Sequence, residues 1–272
     1  MEESQAVQNL AYAEPGERST YVVLGVNVDI GDHKSVTEQV ERWIKIRQKS
    51  RYITFSNVHA VITAKHDMNF HKVLDEAALV CPDGMPLVWV GHAQGRQVSR
   101  IYGPDFMLKF LKLTHHKGYT HYFYGGSPEV VKLLSDKLKD AYPGLQVAGI
   151  YSPPYRALTI IEERSIADII NKADPDVLWV GLGCPKQEIW MNKFSKLLRV
   201  PVMLGVGQAF DIHAGTLQRA PLWMHNSGLE WLFRLLIEPG RLWRRYLVTN
   251  TEFVLYIVAA LITGRLKHQQ QK

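Results

Sequence analysis

"THYFYGGSPEVVKLLSDKLKDAYPG" (residues 120–144) decides the fold. A short run of β-favouring residues stops at Gly125-Gly126. The run after it repeats apolar residues at helical spacing (Val130, Val131, Leu134, Leu138). Ser127 stands where a helix cap is needed, and Pro128 at the first helical position, where its missing N–H costs nothing. Strand, glycine turn, helix is one unit of a parallel sheet.

The same unit recurs in both directions. Downstream come "LQVAGIY" and "DVLWVGLG" as strands, "LTIIEERSIADIINKA" and "CPKQEIWMNKFSKLL" as helices, and "VPVMLGVG" as a last strand. Upstream, "YVVLGVNVDI" reads as a strand or a hairpin, followed by a helix over about 35–48. "YITF" is a strand leading into "SNVHAVITAKHD", a helix that Ser56 or Asn57 would cap. "MPLVWVGHAQ" and "GPDFMLKFLKLTHH" read as helices, the second opened by Pro104. This alternation predicts an α/β fold, a Rossmann-like sandwich with a mostly parallel sheet and helices on both faces.

From Gln208 the alternation stops, and the remaining sequence reads as two or three helices broken at Pro239-Gly240. The expected organisation is a flexible leader (1–20), an α/β core (21–212) and a C-terminal basic amphipathic helical appendage (213–272). The apolar run "FVLYIVAALI" has ten residues, too few to span a bilayer.

The chain has 272 residues, 46% of them hydrophobic, enough for one large domain or two small ones. Two distant cysteines, Cys81 and Cys184, make neither a disulfide framework nor a zinc site, so a reduced, cytoplasmic setting is expected. The first twenty residues lack an apolar segment, and no signal peptide is expected. Of the net charge of +6, residues 216–272 hold eight Lys/Arg against three Glu, a balance of +5, together with Trp223, Trp231 and Trp243. Basic charge interleaved with aromatics suits a nucleic acid or a membrane surface.

Ligands of such sheets sit at the carboxyl ends of the strands. Five unusual turns fall there: "FSN", "PDG", "GGSPE", "GLGCPKQE" and "GVGQAFD". Their substrate-binding candidates are Gly125, Gly126, Gly183, Gly205, Gly207 and Asp211. None is a dinucleotide fingerprint or a P-loop, and each alone is explained by a tight turn. Together they point to a nucleotide-diphosphate ligand. "DPD" (174–176) precedes its strand, at the wrong edge for catalysis, and no histidine pair has ligand spacing. Neither a metal nor a cofactor is expected. Asp83 in "CPDGMPLVWV" is either the maker of a Pro-Asp-Gly turn or a carboxylate that the turn presents.

"GVGQAFDIHAGTLQRAPLWMHNSGLEWLFRLLIEPGRLWRRYL" closely resembles the C-terminal signature of the WecG/TagA/CpsF family of bacterial glycosyltransferases (glycosyltransferase family 26). "LGVNVDI", "SNVHAVITAKHD", "PDGMPLVW", "RIYGPDFM", "YGGSPE" and "VGLGCPKQEIWM" follow in the family's order, so the resemblance covers about residues 20–265. It implies an inverting, metal-independent enzyme of cell-wall or exopolysaccharide synthesis. Its donor would be a UDP-sugar, and its acceptor a polyprenyl-diphosphate-linked saccharide at the inner face of the cytoplasmic membrane.

The resemblance also implies roles. Asp83 matches the family's general base. Asn57 matches an asparagine near the donor sugar, a role compatible with capping a helix. The family shows Thr-x-Asn there, whereas this chain reads "TFSN", leaving Thr54 one residue too early and Phe55 at the threonine position. Gln187 matches a polar contact of the pocket; a surface helix is its other reading. Arg219, Arg234, Arg241, Arg244 and Arg245 are candidates for leaving-group charge or for anionic headgroups, or else form a solvated basic face. If one helix ran through Pro239, Arg234, Arg241 and Arg245 would share a face.

Leu229, Leu232, Phe233, Leu236, Leu242, Trp243, Tyr246 and Leu247 form an apolar stripe suited to peripheral membrane attachment. Off the membrane it could pair two subunits as a homo-oligomer. The donors permitted are glucose, N-acetylmannosamine and its uronic acid, and "FSNVHA" leans towards the exopolysaccharide branch, which transfers glucose. The competing classes are a non-catalytic scaffold of a polysaccharide-assembly complex and a nucleic-acid-binding protein using the basic tail. The second leaves the five turns unexplained, and no nucleic acid is expected as a partner.

Overall fold

The computed structural model describes residues 18–264. Strands β1 (Thr20–Val23) and β2 (Val26–Asp29) form an antiparallel hairpin that turns on Leu24-Gly25, both at positive φ as a two-residue turn requires. Asp29 ties the hairpin to the body. Its buried carboxylate accepts from the backbone N–H of Val80 at 2.6 Å and from Arg18 Nε at 2.9 Å. Most of the expected leader, residues 1–17, lies outside the described residues, but Arg18 and Thr20 are built into this joint.

Helix α1 (His33–Ile46) starts at a reciprocal Asp32–Ser35 capping box. It is followed by β3 (Arg51–Ser56), α2 (Val58–His66), α3 (Met68–Asp75), β4 (Leu79–Pro82), α4 (Met85–Ala93) and α5 (Gly103–Thr114). The single helix expected over "SNVHAVITAKHD" ends at Asp67, whose carboxylate caps α3. Then come β5 (Thr120–Gly125), α6 (Pro128–Ala141), β6 (Gln146–Tyr151), α7 (Ile160–Ala173), β7 (Val177–Gly181), α8 (Lys186–Phe194) and β8 (Val202–Gly205). Ser127 caps α6 and Pro128 opens it, as its sequence requires.

Six strands in the order β4-β3-β8-β7-β5-β6 form one parallel sheet. Every residue of β3, β4 and β8 is buried, which is why these strands read as unbroken apolar runs. Two cores cover the two faces. One gathers α2, α3, α4, α7 and α8, the other α1, α5 and α6. The chain therefore leaves β7 towards one face (α8) and the neighbouring β5 towards the other (α6), and leaves β3 and its neighbour β8 towards opposite faces as well. Such points open crevices at the carboxyl edge of a sheet.

At the opposite edge, Asp174 ends α7 in the left-handed region, and Asp176 Oδ2 accepts from the N–H of Thr120 at 2.9 Å. Arg47 pairs with both carboxylates. "DPD" is a cap and a strand clasp.

After β8 come α9 (Ala209–Ala214), α10 (Leu222–Asn226), α11 (Glu230–Ile237) and α12 (Pro239–Ile262). Glu238 leaves helical geometry (φ −125°, ψ 57°) and Pro239 restarts it. Arg234 and Arg241 therefore belong to different helices, and the continuous face imagined for Arg234, Arg241 and Arg245 does not form.

The ten-residue apolar run needs correction too. It is the second half of the 24-residue α12, and Leu242–Ile262 is long and apolar enough to cross a membrane by length and composition. This helix instead lies against α2: Phe253 is buried, and Tyr256, Ile257 and Ala260 pack on the core. His66 Nε2 meets Glu252 Oε1 at 2.5 Å, and Lys65 sits 4.3 Å from the Tyr256 ring centre. Its other side, including Leu247, Val248, Leu255 and Ile262, is exposed.

Candidate active site

Asp83 stands one residue beyond β4. Its N–H donates to Ser56 O at 2.9 Å, continuing the pairing of β3 with β4, so that Asn57 and Asp83 end neighbouring strands. Gly84 has an ordinary negative φ of −87°, so the turn does not need glycine for its conformation. A Cβ at Gly84 would lie 3.4 Å from Asn57 Cβ. That is ordinary van der Waals contact, so position 84 sits directly against Asn57. Asn57 Oδ1 accepts from the N–H of His59 at 3.0 Å, capping α2 while the residue faces the same space as Asp83.

That space is a cavity of about 540 Å³. Its floor carries Asn57, Asp83, Arg100 and Tyr102; α11 and α12 roof it with Glu230, Arg234 and Tyr246. Towards one side it becomes apolar, walled by Trp89, Phe253, Ile257 and Leu261. The Asp83 side chain keeps 17% of its surface accessible, yet burial is the largest influence on it. Burial and the nearby Glu230 and Asp105 charges raise its pKa to about 8, against the lowering effect of Arg100 and His225.

Below the roof runs a polar network that sequence reasoning did not find. Arg100 donates from Nε to the backbone carbonyl of Asp83, from Nη1 to His225 O at 3.0 Å, and from Nη2 to Glu230 Oε2 at 2.8 Å. Tyr102 donates its hydroxyl to Glu230 Oε1 at 2.5 Å. His225 lies between Glu230 (3.2 Å) and Asp105 (3.6 Å), and hydrogen bonds to Asp105 and Glu230 raise its pKa. Glu230 is held at about 2: burial opposes its charge, but hydrogen bonds from His225, Tyr102 and Arg100 outweigh it.

The sequence candidates divide. Asn57, Asp83 and Arg234 share the cavity, and Arg234 keeps its Nε buried without a hydrogen-bond partner. Arg219 does not line it: it pairs with Asp105 at 2.5 Å and extends the network. Thr54 is fully buried within β3 and its hydroxyl reaches only Ser56 Oγ, at 3.3 Å, so it is closed off from the cavity. Gln187 is buried as a brace. Its Nε2 donates to Gly205 O at 2.9 Å, and its Oε1 accepts from the N–H of Gly183 at 3.2 Å. Arg244 is exposed and outside the cavity, while the side chains of Arg241 and Arg245 lie outside the described residues.

Gly125, Gly126, Gly183 and Gly207 lie at or just beyond the carboxyl ends of β5, β7 and β8, and none of them lines the cavity. Gly125 packs on the backbone of Gly181 so closely that a Cβ would lie 2.5 Å from its carbonyl oxygen. A Cβ at Gly207 would lie 3.8 Å from Gly183 Cα. Gly205 ends β8, held by Gln187, and Asp211 lies in α9, its backbone carbonyl accepting from the N–H of Thr216 at 2.9 Å.

Arg100 and Glu230 left weak signals. Arg100 opens "RIYGPDFM" and Glu230 lies within the C-terminal signature, so the resemblance marked both segments, but neither residue has a local capping or periodic role that joins them. Among the described residues, no group of three His, Cys, Asp or Glu side chains is arranged to hold a metal ion.

A profile of the glycosyl transferase WecG/TagA/CpsF family matches residues 21–267. The chain is 32% identical over 225 residues (82% of each chain) to the N-acetylglucosaminyldiphosphoundecaprenol N-acetyl-beta-D-mannosaminyltransferase of Bacillus spizizenii (strain W23). To the protein of the same name from Bacillus subtilis (strain 168) it is 32% identical over 197 residues, 72% of this chain and 74% of the relative. To that of Staphylococcus aureus (strain NCTC 8325 / PS 47) it is 26% identical over 224 residues, 82% and 86% of the two chains. Strand ends that bring Asn57 beside Asp83, a helical roof and a match over nearly the whole chain lead to one conclusion: the chain belongs to the WecG/TagA/CpsF family of glycosyl transferases, and it is a glycosyltransferase.

Proposed function

We propose that the chain transfers a hexosyl group from a UDP-sugar to a polyprenyl-diphosphate-linked saccharide with inversion, using Asp83 as general base. The acceptor hydroxyl attacks the anomeric carbon from the face opposite the diphosphate, the bond to UDP breaks, and the hydroxyl proton passes to Asp83. The observation that carries this reading is a carboxyl group raised to about 8 by burial, facing a cavity with one polar end and one apolar wall. A base poised near neutral pH suits a step in which an alcohol loses its proton as it attacks. The apolar wall suits an acceptor that carries a lipid.

Negative charge gathers on the departing diphosphate. Arg234 in the roof, with an unsatisfied Nε, supports a role in steadying it. The backbone N–H groups around Gly125, Gly126, Gly183 and Gly207 support placement of the nucleotide at the carboxyl edge of the sheet. The exposed apolar side of α12 and the tail's positive charge support attachment at the cytoplasmic face of a membrane. The relatives are named as N-acetyl-beta-D-mannosaminyltransferases acting on N-acetylglucosaminyldiphosphoundecaprenol, which supports N-acetylmannosamine over glucose as the sugar transferred here.

The experiment is a panel of UDP-sugars with a polyprenyl-diphosphate-N-acetylglucosamine acceptor, reading UDP release from wild type and Asp83→Asn. Turnover with UDP-N-acetylmannosamine, lost in Asp83→Asn while UDP binding and folding persist, is the expected result. Undiminished turnover in Asp83→Asn would remove the base assignment.

A further inference from the structure

Arg100 is the cation nearest to Asp83, but its hydrogen bonds pass the carboxylate by. Nε is committed to the Asp83 backbone carbonyl and Nη1 to the carbonyl of His225. Nη2 lies 2.8 Å from Glu230 Oε2 and 3.8 Å from Asp83 Oδ1. Glu230 comes from α11, so the group that occupies Arg100 arrives only with the C-terminal helices. Its other oxygen is fixed by Tyr102, which leaves the carboxylate one orientation.

We propose that Glu230 is a positioning residue: by binding the Arg100 guanidinium it holds that charge at 3.8 Å from Asp83 Oδ1, short of a hydrogen bond to the carboxylate, so that the base is fully basic only when the C-terminal helices are docked. The inference rests on the role proposed for Asp83. Without Glu230, Nη2 would need to close little more than 1 Å to reach hydrogen-bond distance of Asp83 Oδ1. A salt-bridged aspartate is a weaker base. The remaining charged and titratable groups around Asp83 are Asp105 of α5 and Tyr102 just before it, Cys81 of β4, His225 of α10, Arg234 of α11, Tyr246 of α12 and His59 of α2. Among these, Glu230 alone both faces Asp83 with negative charge and holds the competing cation at hydrogen-bond distance.

The test compares the pH dependence of kcat/KM in wild type, Glu230→Gln and Tyr102→Phe. Glu230→Gln removes the charge and keeps the shape, so the acid limb should move to lower pH by about one unit. Tyr102→Phe removes only a hydrogen bond to Glu230, so its acid limb should stay in place while kcat falls at every pH. The ¹³C chemical shift of the Asp83 carboxyl, followed by NMR in the ligand-free proteins, reads the same titration if a variant turns over too slowly. An unmoved midpoint in Glu230→Gln, or an equal displacement in Tyr102→Phe, overturns the proposal and leaves Glu230 a tether. Undiminished turnover in Asp83→Asn removes the base and this inference together; an inactive Asp83→Asn beside an unmoved Glu230→Gln midpoint sinks the inference alone.

Discussion

Arg100 Nη2 lies 2.8 Å from Glu230 Oε2, joining the carboxyl edge of the sheet to the helices that roof the cavity. Both side chains are 15% exposed, so the pair is mostly withdrawn from water. Removing one member of such a pair leaves the other charge poorly compensated. Arg100→Ala is expected to destabilise the protein by about 3 kcal/mol, measured by urea unfolding. An Arg100→Ala/Glu230→Ala double variant should lose less than the two single losses combined, because the second substitution removes the stranded charge.

The role proposed for Asp83 sets stability against catalysis. Its pKa is about 8 in the folded protein against an ordinary 3.8, so the fold favours the protonated acid. The sign follows: this contribution to stability is complete below about pH 4 and is lost as pH rises through about 8. A base acts only when ionised, so turnover should rise over the upper part of that interval. Asp83→Asn, neutral at every pH, should be more stable than wild type at pH 9 by about 2 kcal/mol, after allowance for residual exposure, with no such gain at pH 4. Thermal unfolding at both pH values checks it; a loss at pH 9 would contradict the burial account of the raised pKa.

Asn57 caps α2 and lines the cavity, and substitution can separate the cap from the role proposed for it beside the substrate. Its side chain caps α2 through the N–H groups of His59 and Ala60. Asn57→Ala should cost about 1 kcal/mol in unfolding free energy. Asn57→Asp keeps an acceptor for the cap, and should retain stability while placing a second carboxylate in the cavity with Asp83. Turnover of Asn57→Asp should therefore fall at least tenfold, with the acid limb moved to higher pH by like-charge repulsion. Unchanged kinetics in Asn57→Asp would reduce Asn57 to a cap.

The sheet was legible because its signals are local. Ser127-Pro128 after Gly125-Gly126 states where a strand stops and a helix starts, without knowledge of any partner. Asp83 was legible only as a choice between turn and acid; Gly84 has an ordinary φ, so the turn's conformation alone does not explain the Pro-Asp-Gly sequence. Thr54 and Gln187 are both turned inwards, for different reasons. Thr54 is buried in a strand covered on both faces, whereas Gln187 opens α8 and is drawn inwards by hydrogen bonds to Gly205 and Gly183. Arg100 and Glu230 are 130 positions apart, and no local pattern announces a pair closed by tertiary structure.

The outer side of α12 supplies a test of attachment independent of catalysis. Leu247 and Leu255 are 64% and 65% exposed, eight positions apart on one helix, so they lie roughly on one face. Neither lines the cavity, whereas Val254 and Val258 do. Moving each leucine from water into a lipid interface contributes about 1.5 kcal/mol, so Leu247→Gln/Leu255→Gln should weaken vesicle binding by about a hundredfold. Sedimentation with anionic phosphatidylglycerol vesicles measures this, and raising the salt should weaken binding of both proteins through the tail arginines. Turnover of a short-chain, water-soluble acceptor analogue should be unchanged in the double variant. Equal vesicle binding by the two proteins would mean that this face meets another protein surface, or water, in place of lipid.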